Sequence, residues 1–474
     1  MIKGGMSMGK NPAHRPSVLR EPSSGSDRES SQNVVNKPTS DALSGNCHAS
    51  QVIVVGGGPA GFFAAIACAE AGASVILLEQ NPSFLSKVRM SGGGHGNVTH
   101  TCLGSQPLSA RFPRGEQELF ESFQCFSVAE TVFWFETRGV RLLTEPDGRV
   151  SPATGDSQTI MDCLLNSARQ AGVDLRANSW VQQVVRKAAG GFQLLLGGGE
   201  KLECDRLLLA TGANRAEESR RLAVSLGHTL TSPVLSLFNF QVASTWLHEL
   251  AGLRIDNVVA SIPPVDLSAS GSLEVTRWGL SGPVILELSA WGARPLRELN
   301  YIFPLHINWL PQVSRNSILA MFQTRTKIQG NTAISAQPPP GLSEPLWKAL
   351  VGANGIKPDA PWSSITLEQL TNLARQLTDS ELFVVGHYAN KGEFVTCGGV
   401  RLDEVDFHTM ESRVCPGLYF AGEILDVDGA AGGFNMQAAW TTGWIAGQHL
   451  AVPGAGPIYA PTESRPYLME TCSG

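Results

Sequence analysis

The sequence predicts an α/β fold of the doubly wound kind, assembled from two separated stretches of chain around a β-rich insertion. Three observations carry that reading. A strand, a glycine turn and a helix follow one another from residue 51; the same order returns from residue 395; and from about 231 to 310 short strand-like pieces are punctuated by Gly and Pro.

Val52-Ile53-Val54-Val55 is a short apolar run of the type found in buried parallel strands. A glycine turn follows, then an Ala-rich helix through about Ala71 that Gly72 can cap. Ser74–Leu78 reads as a second buried strand, closing one βαβ unit. Residues 116–139 and 158–171 have helical periodicity, and 173–185 is strand-like. Phe192–Leu196 and Lys201–Cys204 flank a triple glycine as a hairpin, which leads into the apolar strand Arg206–Leu209 and the small-residue turn Ala210-Thr211-Gly212. Residues 313–325 and 366–378 read as helices, with the surface loop Gln337–Gly341 between them. The expected division is therefore an extension over 1–49, a first nucleotide-binding part over 50–230 and an insertion over 231–394. The insertion is β-rich over 231–310 and helical over 311–380. A second nucleotide-binding part follows over 395–452, then a tail over 453–474.

Composition narrows the class. A chain of 474 residues exceeds one typical core. The net charge of -6 gives no electrostatic footprint for nucleic acid, so no nucleic-acid partner is expected. No apolar run is long enough to span a bilayer, so no membrane partner is expected either. The nine cysteines are scattered without a C-x-x-C pair, which fits a reducing, cytoplasmic setting and no metal site. The first residues carry Lys3, Lys10, Arg15 and Arg20, as transit peptides do. Pro12 and Pro16 oppose the helix such peptides need, so residues 1–49 are read as a disordered extension. Oligomeric state is not legible.

The chemistry lies in three glycine-rich segments. Gly56-Gly57-Gly58-Pro59-Ala60-Gly61 is a G-x-G-x-x-G between strand and helix. Gly56 permits the tight turn, Gly58 lets the backbone approach a pyrophosphate, and Gly61 lets helix and strand pack closely. Glu79, with Gln80 beside it, lies about 20 residues further on, where an acid accepts from ribose hydroxyls. Together these define a Rossmann-type dinucleotide site. The second segment, Leu418–Gly433, decides between NAD and FAD: a strand runs into Gly422 and Glu423, then Asp426, Asp428, Gly432 and Gly433, and a helix opens near Phe434 and Asn435. FAD is long and needs such a distant contact for its flavin half, with an acid for ribityl hydroxyls and a helix terminus for the pyrimidine edge. Met436 and Trp440 on that helix read as core. The third segment, Ser91–Thr99, places Gly92, Gly93 and Gly94 before Asn97, Val98 and Thr99. It reads equally as a loop lying flat on a ligand or as a plain surface loop.

Taken together, Gly56–Gly61, Ser91–Thr99, Thr276–Pro283, Cys397–Val400 and Gly417–Gly443 resemble the BaiN/YhiN-like, aminoacetone-oxidase-like family of NAD(P)/FAD-dependent oxidoreductases, over about residues 50 to 452. The resemblance implies a discontinuous Rossmann-type FAD-binding domain with an inserted β-barrel-like and helical domain. It departs from the family's pattern in three places. His95-Gly96 replaces the usual Arg-Cys, Thr276-Arg277-Trp278 replaces a Thr-His, and Asn214–Arg220 lacks the usual Gly-Ser-Thr-Gly turn.

No second G-x-G-x-x-G stands between strand and helix, so an NAD(P)H donor, if used, docks transiently at the flavin face. His95, Arg277 and Lys391 are the candidate catalytic groups there, with His387 and Arg149 as further polar candidates. The expected function is hydride transfer through the flavin to or from a small organic substrate. A flavin-dependent RNA-modifying protein and a non-catalytic flavin-binding regulator are the alternatives.

Overall fold

The computed structural model describes residues 50–102, 104–212, 217–388 and 395–451. The expectations for residues 1–49, for Lys391 and for residues 453–474 lie outside them.

A seven-stranded sheet runs in the order Val405–Asp406, Glu411–Ser412, Leu418–Phe420, Arg206–Leu209, Gln51–Val55, Ser74–Leu78, Asp174–Arg176. From Leu418–Phe420 to Asp174–Arg176 every neighbouring pair is parallel. Val52–Val55, Val75–Leu78 and Leu207–Leu209 are buried, as strands covered on both faces require. Two helices lie against each other over this sheet, Pro59–Glu70 and Phe434–Ala451. Glycine makes their approach possible: a Cβ on Gly443 would stand 2.4 Å from the Ala60 carbonyl oxygen, and one on Gly447 would stand 2.5 Å from that of Ala64. The first strand and the last helix of the described chain thus share one core.

A closed antiparallel barrel follows the order Asn239–Val242, Gly279–Ser281, Leu267–Thr276, Arg254–Ile262, Phe303–Asn308, Ser380–Tyr388. Alternate residues such as Phe240, Val258, Leu273, Leu305 and Val384 fill it. The helices Arg315–Ile328, Glu344–Ala353 and Leu367–Thr378 contribute to the same core, where Phe322 meets the Trp347 and Trp362 rings at 5.8 and 5.5 Å.

Four details differ from the sequence reading. The helical stretch 116–139 is two helices, Glu116–Cys125 and Val128–Glu136, because Ser127 and Glu130 form a capping box that starts the second. The strand-like stretch 173–185 divides at Asn178, which has φ 52°. Its first part, Asp174–Arg176, joins the parallel sheet, and its second, Val181–Arg186, joins the hairpin 192–204 in a three-stranded meander. The β-rich stretch contains three α-helices, Thr245–His248, Pro283–Trp291 and Ala293–Glu298. The barrel closes only with Ser380–Tyr388, which pairs with both Phe303–Asn308 and Asn239–Val242 from beyond the helical stretch.

Candidate functional site

Chain connections reverse direction beside Gln51–Val55, with Ser74–Leu78 on one flank and Arg206–Leu209 on the other. A crevice forms at such a point beyond the carboxyl ends of the strands. Here it is a cleft of about 510 Å³, an ordinary size for a ligand site. Gly56, Gly57, Gly58, Pro59 and Ala60 form one wall, Glu79 and Gln80 a second, Thr211 and Gly212 a third, and Gly422, Glu423, Asn435 and Met436 a fourth.

The glycine turn is dictated by its neighbours. Gly56 has φ 116°, and a Cβ there would lie 2.3 Å from the Ala210 carbonyl oxygen; on Gly61 it would lie 1.9 Å from the carbonyl oxygen of Gly56. A Cβ on Gly58 would meet nothing within 4 Å. No side chain caps the helix that Gly58 begins, so its first N–H groups are left for a ligand. Glu79 stiffens the turn: one carboxylate oxygen accepts from the Gly57 N–H at 2.8 Å, and the other accepts from the Asn81 N–H at 2.8 Å.

At the opposite wall, Gln437 N–H makes the first helical bond of Phe434–Ala451, donating to the Gly433 carbonyl at 3.0 Å. Asn435 and Met436, in its first turn, line the cleft. Two helix N-termini therefore open onto it. Thr211 contributes a buried hydroxyl without a hydrogen-bond partner among the described residues. These features fit a long dinucleotide: exposed N–H groups for phosphates, an acid at a strand end, and a second helix terminus for the far half.

Other sequence-predicted residues support the cleft from behind. Asn97, Val98 and Thr99 are buried. Trp440 Nε1 donates to the Val98 carbonyl at 2.9 Å, and the Thr99 hydroxyl donates to Gln437 Oε1 at 2.6 Å. Gln437 in turn donates to the Thr131 and Thr441 hydroxyls at 2.9 and 3.0 Å. Gly92 and Gly93 take left-handed conformations, and Gly94 also has a positive φ, in the turn before Asn97. Asn97 Oδ1 is buried without a partner among the described residues and lies beside Gly433, whose missing side chain would stand 2.9 Å from it. Gly432 and Phe434 face His100, the Phe434 and His100 rings stacking at 4.7 Å. Met436, expected in the core, packs against it and also lines the cleft; Trp440 is fully buried as expected.

Asp426 stands apart from the cleft wall. Its carboxylate accepts from the Arg294 guanidinium at 2.6 and 2.8 Å and from the Gly398 N–H at 2.8 Å. Asp428 is enclosed likewise. Arg114 Nε donates to it at 2.5 Å and the Ser236 hydroxyl at 2.5 Å, while Arg114 also donates to the Ala290 carbonyl at 2.6 Å. Burial pushes the Asp428 carboxyl up, and Arg114 pulls it back down. These two pairs join the nucleotide-binding part to Ser236, Ala290 and Arg294 of the insertion.

The candidate catalytic groups do not converge. His95 is exposed, with Gly155 its neighbour. Arg277 is exposed on the turn between two barrel strands, beside Trp278 at 64% exposure. Arg149 is tied to Glu145 and Asp147 at 2.7 and 2.8 Å, and the His387 ring lies 4.3 Å from that of Tyr301. None of these four lines the cleft. Lining residues that carried no motif include Asn81, Lys87, Met90, Trp180 and Thr396. Asn81, Met90 and Thr396 had a nearby signal, standing one residue from Gln80, Ser91–Thr99 and Cys397–Val400.

The parallel sheet, the switch-point cleft and the two helix N-termini define a dinucleotide-binding flavoprotein. The chain belongs to the family described as the HI0933-like protein Rossmann domain, whose pattern matches residues 50–449. It is an FAD-dependent oxidoreductase of that family. Among similar proteins is a 3-dehydro-bile acid delta(4,6)-reductase of Clostridium scindens, 27% identical over 412 residues, 85% of this chain and 99% of that one. A ribosomal RNA dihydrouridine synthase of Escherichia coli is 27% identical over 408 residues, 84% and 97% of the two chains. Among solved structures, a 3-ketosteroid-delta4-(5alpha)-dehydrogenase from Rhodococcus jostii RHA1 superposes with a TM-score of 0.45 at 16% identity, covering 87% of this chain and 99% of that one. No helix among the described residues is long and apolar enough to cross a membrane.

Proposed function

We propose that this chain reduces a carbon–carbon double bond conjugated to a carbonyl group in a small organic substrate, by hydride transfer through FAD, with NAD(P)H as a transient donor. The observation that carries the reading is the convergence of both helix N-termini, Pro59–Glu70 and Phe434–Ala451, on one cleft at the strand ends. Bound there, FAD supplies an N5 able to accept and deliver hydride. The first turn of Pro59–Glu70 and the carboxylate of Glu79 hold the adenosine and phosphate end. The first turn of Phe434–Ala451, with Asn435 and Met436, meets the other end and favours negative charge on whatever lies against it. The substrate class is supported by the relatives: a delta(4,6)-reductase and a dihydrouridine synthase are both named for saturating such a bond.

A small molecule is favoured over RNA because the chain's net charge is -6 and nucleic-acid binding normally needs a basic track. The test is anaerobic spectral titration of the purified protein. Its flavin should bleach with NADH or NADPH and recover with an unsaturated steroid or acid. Recovery with a ribosomal RNA transcript alone would move the assignment to RNA modification. Flavin that no donor reduces would leave a binding protein in place of an enzyme.

A further inference from the structure

We propose that Lys87 holds the FAD pyrophosphate, exchanging its carboxylate partner for the phosphates when the dinucleotide enters. The inference rests on the FAD assignment and adds a residue that no motif points to.

Three placements carry it. Among the described residues lining the cleft, Lys87 is the one lysine or arginine, and Glu79 and Glu423 are the carboxylates. A cleft wall so charged must receive a pyrophosphate diester with two negative charges, and a lone cation there is the group such a ligand would seek. Next, the backbone brings Lys87 to the glycine turn. The Leu85 N–H donates to the Gly57 carbonyl at 2.8 Å, so the helix Ser86–Met90 starts directly against the turn. Leu85 takes φ 60°, an unfavourable conformation for a leucine, and this sets the direction of that helix. Finally, the Lys87 ammonium is ion-paired with Glu423, and Glu423 follows Gly422, whose missing Cβ would lie 2.8 Å from the Cβ of Ala60. The ammonium is thereby held close to the first turn of Pro59–Glu70, where the phosphates belong.

The Lys87–Glu423 pair bridges two walls of the cleft, with side-chain exposures of 44% and 16%. A flexible lysine stem lets the ammonium move a short way from one oxygen anion to another. Releasing Glu423 leaves its carboxylate free to accept from ribityl hydroxyls, the role its position at the strand end suggests.

The test uses the full-length, FAD-loaded protein. Phosphorus-31 NMR of the bound pyrophosphate and the FAD dissociation constant at graded KCl are measured for wild type, Lys87→Met, Lys87→Arg and Glu423→Gln. Lys87→Met should shift the phosphorus resonances, weaken FAD roughly tenfold to a hundredfold and flatten the salt dependence. Lys87→Arg should restore most of the affinity, and Glu423→Gln should keep the wild-type phosphorus shifts and salt dependence. Unmoved resonances in Lys87→Met, or equal losses and equal salt slopes in Lys87→Met and Glu423→Gln, would assign the pair a purely structural role and overturn the proposal. Wild-type protein that carries no FAD would instead defeat the reading on which it rests.

Discussion

Replacing Arg114 by methionine removes the cation from a carboxylate that has no access to water. Asp428 is 0% exposed, and its hydrogen bonds come from Arg114 and the Ser236 hydroxyl. Without the guanidinium one hydroxyl remains for a whole charge, and the Ala290 carbonyl loses its donor as well. Breaking a buried pair from one side typically costs about 3–5 kcal/mol, and urea unfolding of the FAD-loaded protein at pH 8 should show a loss of that size. The pH dependence gives the argument its direction. Burial already raises the Asp428 carboxyl and Arg114 opposes that, so in the variant the carboxyl rises further. A carboxyl whose folded pKa lies above its unfolded value binds a proton more tightly when folded, so acidification through that folded pKa stabilises the folded form. The deficit relative to wild type should therefore shrink between pH 8 and pH 5. Arg114→Met/Asp428→Leu should lose less than Arg114→Met, because no buried charge remains. A wild-type urea midpoint for Arg114→Met, or a deficit constant across that range, would refute the reasoning.

Three further substitutions separate binding from folding. Gly58→Val places its side chain in open cleft space, so FAD should be lost on dialysis while the melting temperature of the flavin-free protein stays unchanged; retained FAD would remove Gly58 from the phosphate wall. Glu79→Ala removes an acceptor of the Gly57 and Asn81 N–H groups as well as a ribose contact, and should weaken FAD by about 1.5–3 kcal/mol, the range for hydrogen bonds to charged groups, measured by flavin fluorescence on dilution. Gln437→Leu leaves the buried Thr99 hydroxyl without its acceptor, at about 1–3 kcal/mol for an unsatisfied group, while Thr131 keeps its bond to the Ser127 carbonyl. Thermal unfolding should register that loss, and unchanged unfolding would show that the network is dispensable.

What was legible in the sequence was what is decided locally. Gly56–Gly61 declares its turn because the residues that need glycine lie within one strand–helix junction, and Ser74–Leu78 declares itself by an unbroken apolar run. The helix from Phe434 was likewise visible in its glycine opening. What stayed hidden was pairing at a distance. Asp426 and Asp428 look like ligand-binding acids at a strand end, yet their partners Arg294 and Arg114 lie 132 and 314 residues away in the chain. No spacing rule links such groups. Barrel closure by Ser380–Tyr388 was hidden for the same reason, since a helical stretch separates it from its neighbours. The break at Ser127 was written locally, in the Ser127–Glu130 spacing, but continuous helical periodicity on both sides masked it.

Two walls of the cleft are made near the beginning of the described chain and another near its end. Synthesis reaches Gly56–Ala60 early, whereas Gly422, Asn435 and the helix that packs on Ala60 through Gly443 emerge several hundred residues later. A nascent chain still short of Gly443 has the phosphate turn but not the opposing wall, nor the helix that covers Pro59–Glu70. Flavin capture is thus expected to be a late event of biogenesis, and a chain truncated before Gly443 should fail to retain the cofactor.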